Sequence, residues 1–292
     1  MNSFPTYRHC LICSSENIKP LVGYESAFLN SCKNCGFVFC NRIPSDKELS
    51  KHYKNYGTNF FCSEITKNRY NEILDQMEKY RKNNRIMDIG CGAGYFLDEA
   101  QKRGWEVYGT EYSERLINLL SEKNITIHAG ALNTSNYQDD YFDVITSFEV
   151  IEHINTPASE VNKIHQLLRK GGLIYLTTPN FNSLLRLRLK SKYNVIQYPE
   201  HLSYFTPKTL RKLFDSNGFK TIKIETTGIS FTRLKTSQGK STQKIVSGTS
   251  DDEKIRHAIE ENKTLKIVKR LANNFLTIIG RGDSLKGWFI KK

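Results

Sequence analysis

Arg85-Ile86-Met87-Asp88-Ile89-Gly90-Cys91-Gly92-Ala93-Gly94-Tyr95-Phe96-Leu97 is the stretch on which the reading of this chain turns. A short apolar run meets an acid, three glycines follow at alternate positions, and Phe96, Leu97 and Ala100 then recur at helical spacing. That change of pattern predicts a strand, a tight turn and a helix. Glycine suits such a turn because it reaches positive φ, and without Cβ the backbone can press against a ligand. The helix that follows presents unpaired N–H groups and a positive dipole end, which suits a carboxylate or a phosphate. The spacing is Gly-x-Gly-x-Gly, not the Gly-x-Gly-x-x-Gly of dinucleotide sites.

Outward from this turn, strand and helix patterns alternate. Residues 105–111, 125–127, 141–148 and 173–178 read as strands, the last opened by Gly171-Gly172, and Leu116, Ile117, Leu119 and Leu120 mark a helix. Such alternation predicts a doubly wound, parallel α/β sheet with ligands at the carboxyl ends of its strands. Those ends carry suitable groups. Glu111 is placed to accept hydrogen bonds from ribose hydroxyls. Gly130-Ala131-Leu132 offers backbone groups to an adenine edge, and Phe148-Glu149-Val150-Ile151-Glu152-His153 and Pro179-Asn180 close the next two strands.

Taken together, these residues resemble the class I S-adenosylmethionine (SAM)-dependent methyltransferases. Asp88 to Gly94 is similar to motif I of that family, Glu111 matches its acidic ribose ligand, and 148–153 looks like its segment after the fourth strand. Leu168-Arg169-Lys170-Gly171-Gly172 resembles its turn before the fifth strand, so the likeness covers roughly residues 85–226. The resemblance implies SAM as cofactor, held by Asp88, Gly90, Cys91, Gly92, Gly94, Glu111, Ala131 and Phe148. It also implies a mostly parallel seven-stranded sheet with an antiparallel last strand, for which 285–290 is the candidate.

Upstream, Cys10-x-x-Cys13 and Cys32-x-x-Cys35 enclose 18 residues. Two such knuckles close a tetrahedral four-thiolate site, so Cys10, Cys13, Cys32 and Cys35 are read as ligands of a structural Zn2+. A closed thiolate shell holds the fold and does no chemistry. Cys40 and Cys62 have no partner at metal spacing and read as small core residues. Residues 66–82 form an amphipathic helical pattern through Tyr70, Ile73, Leu74, Met77 and Tyr80, and a helix start at Pro44 leads into the aromatics Tyr53, Tyr56, Phe60 and Phe61.

The formal charge of +13 is unevenly spread. Residues 1–181 hold 20 Lys+Arg and 21 Asp+Glu, whereas 182–292 hold 23 and 9. A basic C-terminal part suggests an anionic partner: a phosphorylated or lipid-linked acceptor, a peripheral contact with a membrane surface, or RNA. A solvated basic surface is the plain alternative. The mixed apolar and basic run at 181–192 suits an anionic membrane surface, a phosphorylated substrate, or loose packing on the domain. Without an 18-residue apolar run or a signal-peptide pattern, the chain reads as cytoplasmic.

The acceptor end is read from Tyr198-Pro199-Glu200-His201-Leu202-Ser203-Tyr204-Phe205-Thr206-Pro207, in the loop after the fifth strand. Imidazole is a natural base for a hydroxyl attacking a sulfonium methyl, and an adjacent carboxylate can orient it. The block resembles the Tyr-x-Glu-His segment of nucleotide-sugar methyltransferases, which also carry a two-knuckle zinc module. It is similar too to the His-Leu-x-Tyr-Phe-x-Pro of surface-polysaccharide methyltransferases. The resemblance implies catalytic roles for His201, Glu200 and Tyr198, and O- or N-methylation of a nucleotide-linked, lipid-linked or polymeric sugar. C-methylation is disfavoured, because the extra C-terminal domain of those enzymes is missing. The alternatives are an RNA methyltransferase gripping RNA with its zinc module, and an inactive zinc-stabilised scaffold.

The expected organisation is a zinc module at 1–45, a helical connector at 46–84, a SAM-binding core at 85–228, and a helical insertion with the last strand at 229–292. A polar loop is expected at 235–250 and one helix over about 252–279.

Overall fold

The computed structural model describes residues 5–45, 48, 62–239 and 251–292. The helix expected after Pro44, with Tyr53, Tyr56, Phe60 and Phe61, lies outside the described residues, as do positions 240–250 of the polar loop.

In chain order the strands are β1 (Ile18–Pro20), β2 (Leu29–Cys32), β3 (Val38–Cys40), β4 (Arg85–Ile89), β5 (Glu106–Glu111) and β6 (Thr126–Ala129). They continue with β7 (Phe142–Phe148), β8 (Leu168–Pro179), β9 (Ser203–Tyr204), β10 (Phe219–Thr227) and β11 (Ser284–Lys291). Seven of them form one sheet in the order β10-β11-β8-β7-β4-β5-β6. β4 pairs in parallel with β5 and β7, while β11 runs antiparallel to both β8 and β10. This is the mostly parallel seven-stranded architecture expected, with its one reversed strand at 284–291.

Both faces of the sheet are covered, so its strands are apolar on both sides. Ile86, Val144 and Leu173 face helices α1 (Glu64–Met77), α2 (Tyr95–Lys102) and α3 (Glu114–Ser121) through Leu74, Phe96, Leu97 and Leu120. Met87, Ile145 and Ile174 face α4 (Pro157–Leu167) and, beyond a short helix α5 (Leu184–Leu189), α6 (Pro207–Asp215), through Val161, Ile164, Leu210 and Phe214.

The Cys-rich segment builds a second sheet, β1-β2-β3-β9. Its fourth strand comes from the loop after α5: Val38 pairs with Tyr204 and Phe39 with Ser203. The Cys40 N–H donates to Leu202 O at 2.8 Å. Tyr24, Leu29, Val38 and Cys40 share one apolar cluster with Phe181, Leu202 and Tyr204. The N-terminal module is therefore completed by the segment that was read as the acceptor loop.

Two expectations near the C-terminus need correction. Where the polar loop was expected to begin, α7 (Phe231–Ser237) forms, capped by the Ser230 side chain on Arg233 N–H. The single helix expected over 252–279 is two, α8 (Asp251–Glu261) and α9 (Lys263–Ile279), split at Asn262. The Asn262 carboxamide oxygen accepts from Thr264 and Leu265 N–H, a local bond that competes with helix continuation. Among the described residues, no helix is long and apolar enough to cross a membrane.

Candidate functional site: a glycine cradle and a histidine-lined cavity

The turn after β4 carries Gly90, Gly92 and Gly94 at φ of +68°, +54° and +76°. A Cβ on Gly94 would sit 2.3 Å from Leu120 Cδ2, so this glycine lets α3 pack against the turn. A Cβ on Gly92 would meet nothing within 4 Å. The middle glycine thus faces open space above the strand end, the cradle a ligand would occupy.

Glu111, at the end of β5, is tied to this turn. Gly92 N–H donates to its Oε2 at 2.9 Å, and Tyr112 and Ser113 N–H donate to Oε1 at 2.8 Å each. Gly130 N–H donates to Glu111 O at 2.8 Å, which brings the exposed Ala131 to the same rim. Phe148, at the end of β7, contacts Tyr70, Phe96 and Tyr175 at ring separations of 5.0–5.7 Å. An open cradle, an anchored carboxylate and an aromatic wall fit the nucleoside and amino-acid parts of SAM.

Two residues expected to touch the cofactor lie deeper. Asp88 is buried at 3% exposure and accepts from Thr146 Oγ1 at 2.7 Å. Burial pushes its carboxyl up to about 7 despite that hydrogen bond, with the Glu111 charge adding to the rise. The Cys91 thiol packs under the turn, 2.7 Å from where a Cβ on Gly109 would stand, while its N–H donates to Thr110 O. Both support the cradle from below.

Beyond Phe148 lies a cavity lined by Glu152, Asn180, Phe181, Arg186, Tyr193 and His201, among others. Glu152 and His153 sit on a 3₁₀ turn, Ile151–His153, that follows β7. Glu152 is 3% exposed and accepts from Thr178 Oγ1 at 2.8 Å. Burial raises its carboxyl well above the usual range, and the nearby Glu149 charge adds to this. The His153 and His201 rings are 4.8 Å apart at 73°. The Arg186 guanidinium lies 4.1 Å over Phe181 and reaches the Tyr24 hydroxyl at 3.3 Å.

Of the three residues read as catalytic, only His201 lines this cavity. Its Nδ1 donates to Val195 O at 2.7 Å, the orienting role expected of Glu200. Glu200 instead supplies its backbone carbonyl to His153 Nδ1, also at 2.7 Å. Tyr198 packs on Phe28 at 5.1 Å and under Arg42 at 4.9 Å, against the Cys-rich module. Neighbours in sequence diverge here because the loop winds through two packing environments. Glu152, His153, Arg186 and Tyr193 were missed as a group. Glu152-His153 was visible after the fourth strand, but its partner His201 lies on another loop, beyond any spacing rule.

In the Cys-rich module, Cys10 and Cys35 Sγ are 3.6 Å apart, as are Cys13 and Cys32. Thiolates around one tetrahedral zinc with bonds near 2.3 Å stand about 3.8 Å apart, so the donor set fits. Cys35 N–H also donates to Cys32 Sγ at 3.5 Å. Cys40 lies outside this group, its thiol pushed up to about 11 by burial.

The fold is shared with solved structures of low identity. A SAM-dependent methyltransferase from Archaeoglobus fulgidus superposes with a TM-score of 0.52 at 19% identity, over 83% of this chain and 98% of the other. Haemonchus contortus phosphoethanolamine N-methyltransferase 2, in complex with S-adenosyl-L-methionine, gives 0.53 at 18%, over 85% and 57%. Among curated relatives, the ubiquinone biosynthesis O-methyltransferases of Aeromonas salmonicida and Aromatoleum aromaticum are 26% and 29% identical. They match over 46% and 48% of this chain, which spans 62% and 65% of their length. The namesake from Nitrosomonas europaea is 26% identical over 59% of this chain and 78% of its own. These names overturn the expected sugar acceptor in surface-polysaccharide biosynthesis, and give no support to RNA or to an inactive scaffold. The motifs behind that expectation lie in a loop whose architecture serves the Cys-rich module as much as the cavity. The methyltransferase domain family matches residues 63–224, from the start of α1 to within β10. With the glycine cradle, the anchored acid and the five strands β4 to β8 all inside those bounds, the chain belongs to the methyltransferase domain family.

Proposed function

We propose that this chain transfers the methyl group of SAM to a hydroxyl of an aromatic, quinone-type acceptor. The observation that carries the reading is the adjacency of two sites at the carboxyl ends of β4, β7 and β8. The cradle at Gly92 and Glu111 suits the cofactor, and the small cavity at His201, about 10 Å³, has room for a water-sized group such as the acceptor's reacting hydroxyl. Phe181, Tyr193 and Tyr204 give that cavity aromatic walls, and the relatives' names supply the acceptor class.

When bound, SAM supplies a sulfonium methyl that is already strongly electrophilic. The chain's own residues do the rest. Glu111 and the glycine turn hold the nucleoside, and Phe148 with Tyr70 and Phe96 shields the strand end. His201, its ring oriented by the Nδ1 hydrogen bond to Val195 O, is placed to receive the acceptor's proton. We also assign a structural Zn2+ to Cys10, Cys13, Cys32 and Cys35, whose spacing and separations fit a closed tetrahedral shell.

The test is a thermal-shift titration with S-adenosylhomocysteine, followed by turnover with a hydroxylated quinol. Ligand at 100 times its Kd should add about 2.7 kcal/mol of apparent stability. His201→Ala should keep that shift and lose 10²–10⁴-fold, roughly, in turnover. No shift at millimolar ligand would remove the reading, and equal loss of binding and turnover would leave His201 a structural role only.

A further inference from the structure

We propose that the outer face of α9 is a docking surface for an anionic lipid bilayer, on which the helix lies flat at the level of the headgroups. α9 belongs to the insertion between β10 and β11, beyond the residues 63–224 matched by the methyltransferase domain family, so that match does not account for it.

Seventeen residues form this helix, and Leu276 alone among them is buried. Its inner side is fastened to the end of β10. Thr226 Oγ1 donates to Leu276 O at 2.7 Å, Thr277 Oγ1 donates to Thr226 O at 3.0 Å, and Gly228 N–H donates to Asn273 Oδ1 at 2.9 Å. These bonds fix the roll of the helix. Ile267, Val268, Leu271, Phe275 and Ile278 are left 52–83% exposed. At about 3.6 residues per turn the five fall within an arc of about 100°, on the side away from Asn273 and Leu276. A continuous stripe of large apolar side chains held outward differs from the scattered apolar residues of an ordinary surface.

The polar residues beside the stripe select its occupant. From Lys263 to Ile279 there are four Lys or Arg and no Asp or Glu. Lys266 and Lys269 reach back to Glu260 on α8, at 3.0 and 3.6 Å. Lys263 and Arg270 flank the stripe, and among the described residues they form no ion pair. A second copy docked α9 on α9 brings cations towards a helix without a single acid. An anionic bilayer satisfies both parts of the surface. The stripe enters the boundary between headgroups and acyl chains, while the long basic side chains keep their charge among the lipid phosphates. No described helix is long and apolar enough to cross a membrane, so the contact is peripheral.

The inference goes beyond the methyl-transfer reading and does not depend on it. The experiment is co-sedimentation of the full-length protein with vesicles of phosphatidylcholine, alone or with about one-third phosphatidylglycerol. The wild type should bind the anionic vesicles more than about tenfold more tightly than the neutral ones, since each Lys or Arg near the surface contributes about fivefold. Leu271→Ser combined with Phe275→Ser should weaken that binding at least about tenfold, because two large apolar side chains no longer leave water. Lys263→Glu combined with Arg270→Glu should remove the preference for anionic lipid. All four side chains are exposed, so both double variants should keep the wild-type S-adenosylhomocysteine thermal shift. No binding to anionic vesicles, or equal binding by wild type and variants, overturns the inference. A wild-type dimer in sedimentation velocity that is lost in the Leu271 and Phe275 variant also overturns it, because the stripe then belongs to a second copy. A retained S-adenosylhomocysteine shift in either case leaves the methyl-transfer reading standing, so the two failures are separable.

Discussion

Asp88 shows how one side chain can match a motif and yet do a different job. Register places it opposite Gly109 and Thr146, between two neighbouring strands, and so under the turn instead of on it. Its folded-state carboxyl is raised from 3.8 to about 7 by burial. Between those values the folded state keeps a proton that the unfolded chain releases. The group's contribution to stability is therefore full below pH 4 and falls as pH rises toward 7. The full window corresponds to at most about 4 kcal/mol. Asp88→Asn keeps an acceptor for Thr146 and removes the titration, so its unfolding free energy should fall less between pH 4.5 and 8 than that of the wild type. Parallel pH profiles for the two proteins in urea unfolding would refute this account. The acid was legible in the sequence. Its depth was not, because which way a strand side chain points depends on register.

At the scale of elements, the β4 turn separates packing from binding. Gly94→Ala combines a left-handed backbone with a Cβ placed 2.3 Å from Leu120 Cδ2. Strain of about 1–2 kcal/mol and overpacking of about 1–3 kcal/mol should together destabilise the fold by about 2–5 kcal/mol. Gly92→Ala carries only the backbone strain, since the added methyl meets open space. It should cost about 1–2 kcal/mol of stability while lowering S-adenosylhomocysteine affinity more than tenfold. Denaturant unfolding and calorimetric titration of both variants check the pair, and wild-type affinity in Gly92→Ala would show that the cradle is not the cofactor site. The strands and the turn were readable because the change from strand to helix spacing is local. The break at Asn262 was not, because a 3.6-residue apolar pattern runs through it while a side-chain cap decides where the helix restarts.

At the scale of the whole molecule, the two sheets meet at the loop of residues 198–204. β9 belongs to the Cys-rich sheet, yet His201 and Leu202 immediately precede it and line or brace the cavity. Removing the ion proposed for the four-cysteine site, or Cys32→Ser, should therefore loosen the His201 side while sparing the β4–β5 cradle in the other sheet. Turnover should fall at least about tenfold, a change of about 1.4 kcal/mol in barrier, with the S-adenosylhomocysteine thermal shift retained. Unchanged turnover after complete ion removal would mean that β9 holds its place without the module. The Lys/Arg excess of residues 182–292 sits partly on α9, where Val268, Leu271, Phe275 and Ile278 are 55–83% exposed.

The linear order of residues was enough for the α/β class, the motif-bearing turn, Glu111 and the four-cysteine set, because each is written in spacing over a few residues. The cluster of Glu152, His153 and His201, the capture of β9 by β3, and the separation of Tyr198 from His201 needed the folded chain. They depend on which distant segments pack together, and burial and hydrogen-bond pairing across the sheet ends choose that, not any local period.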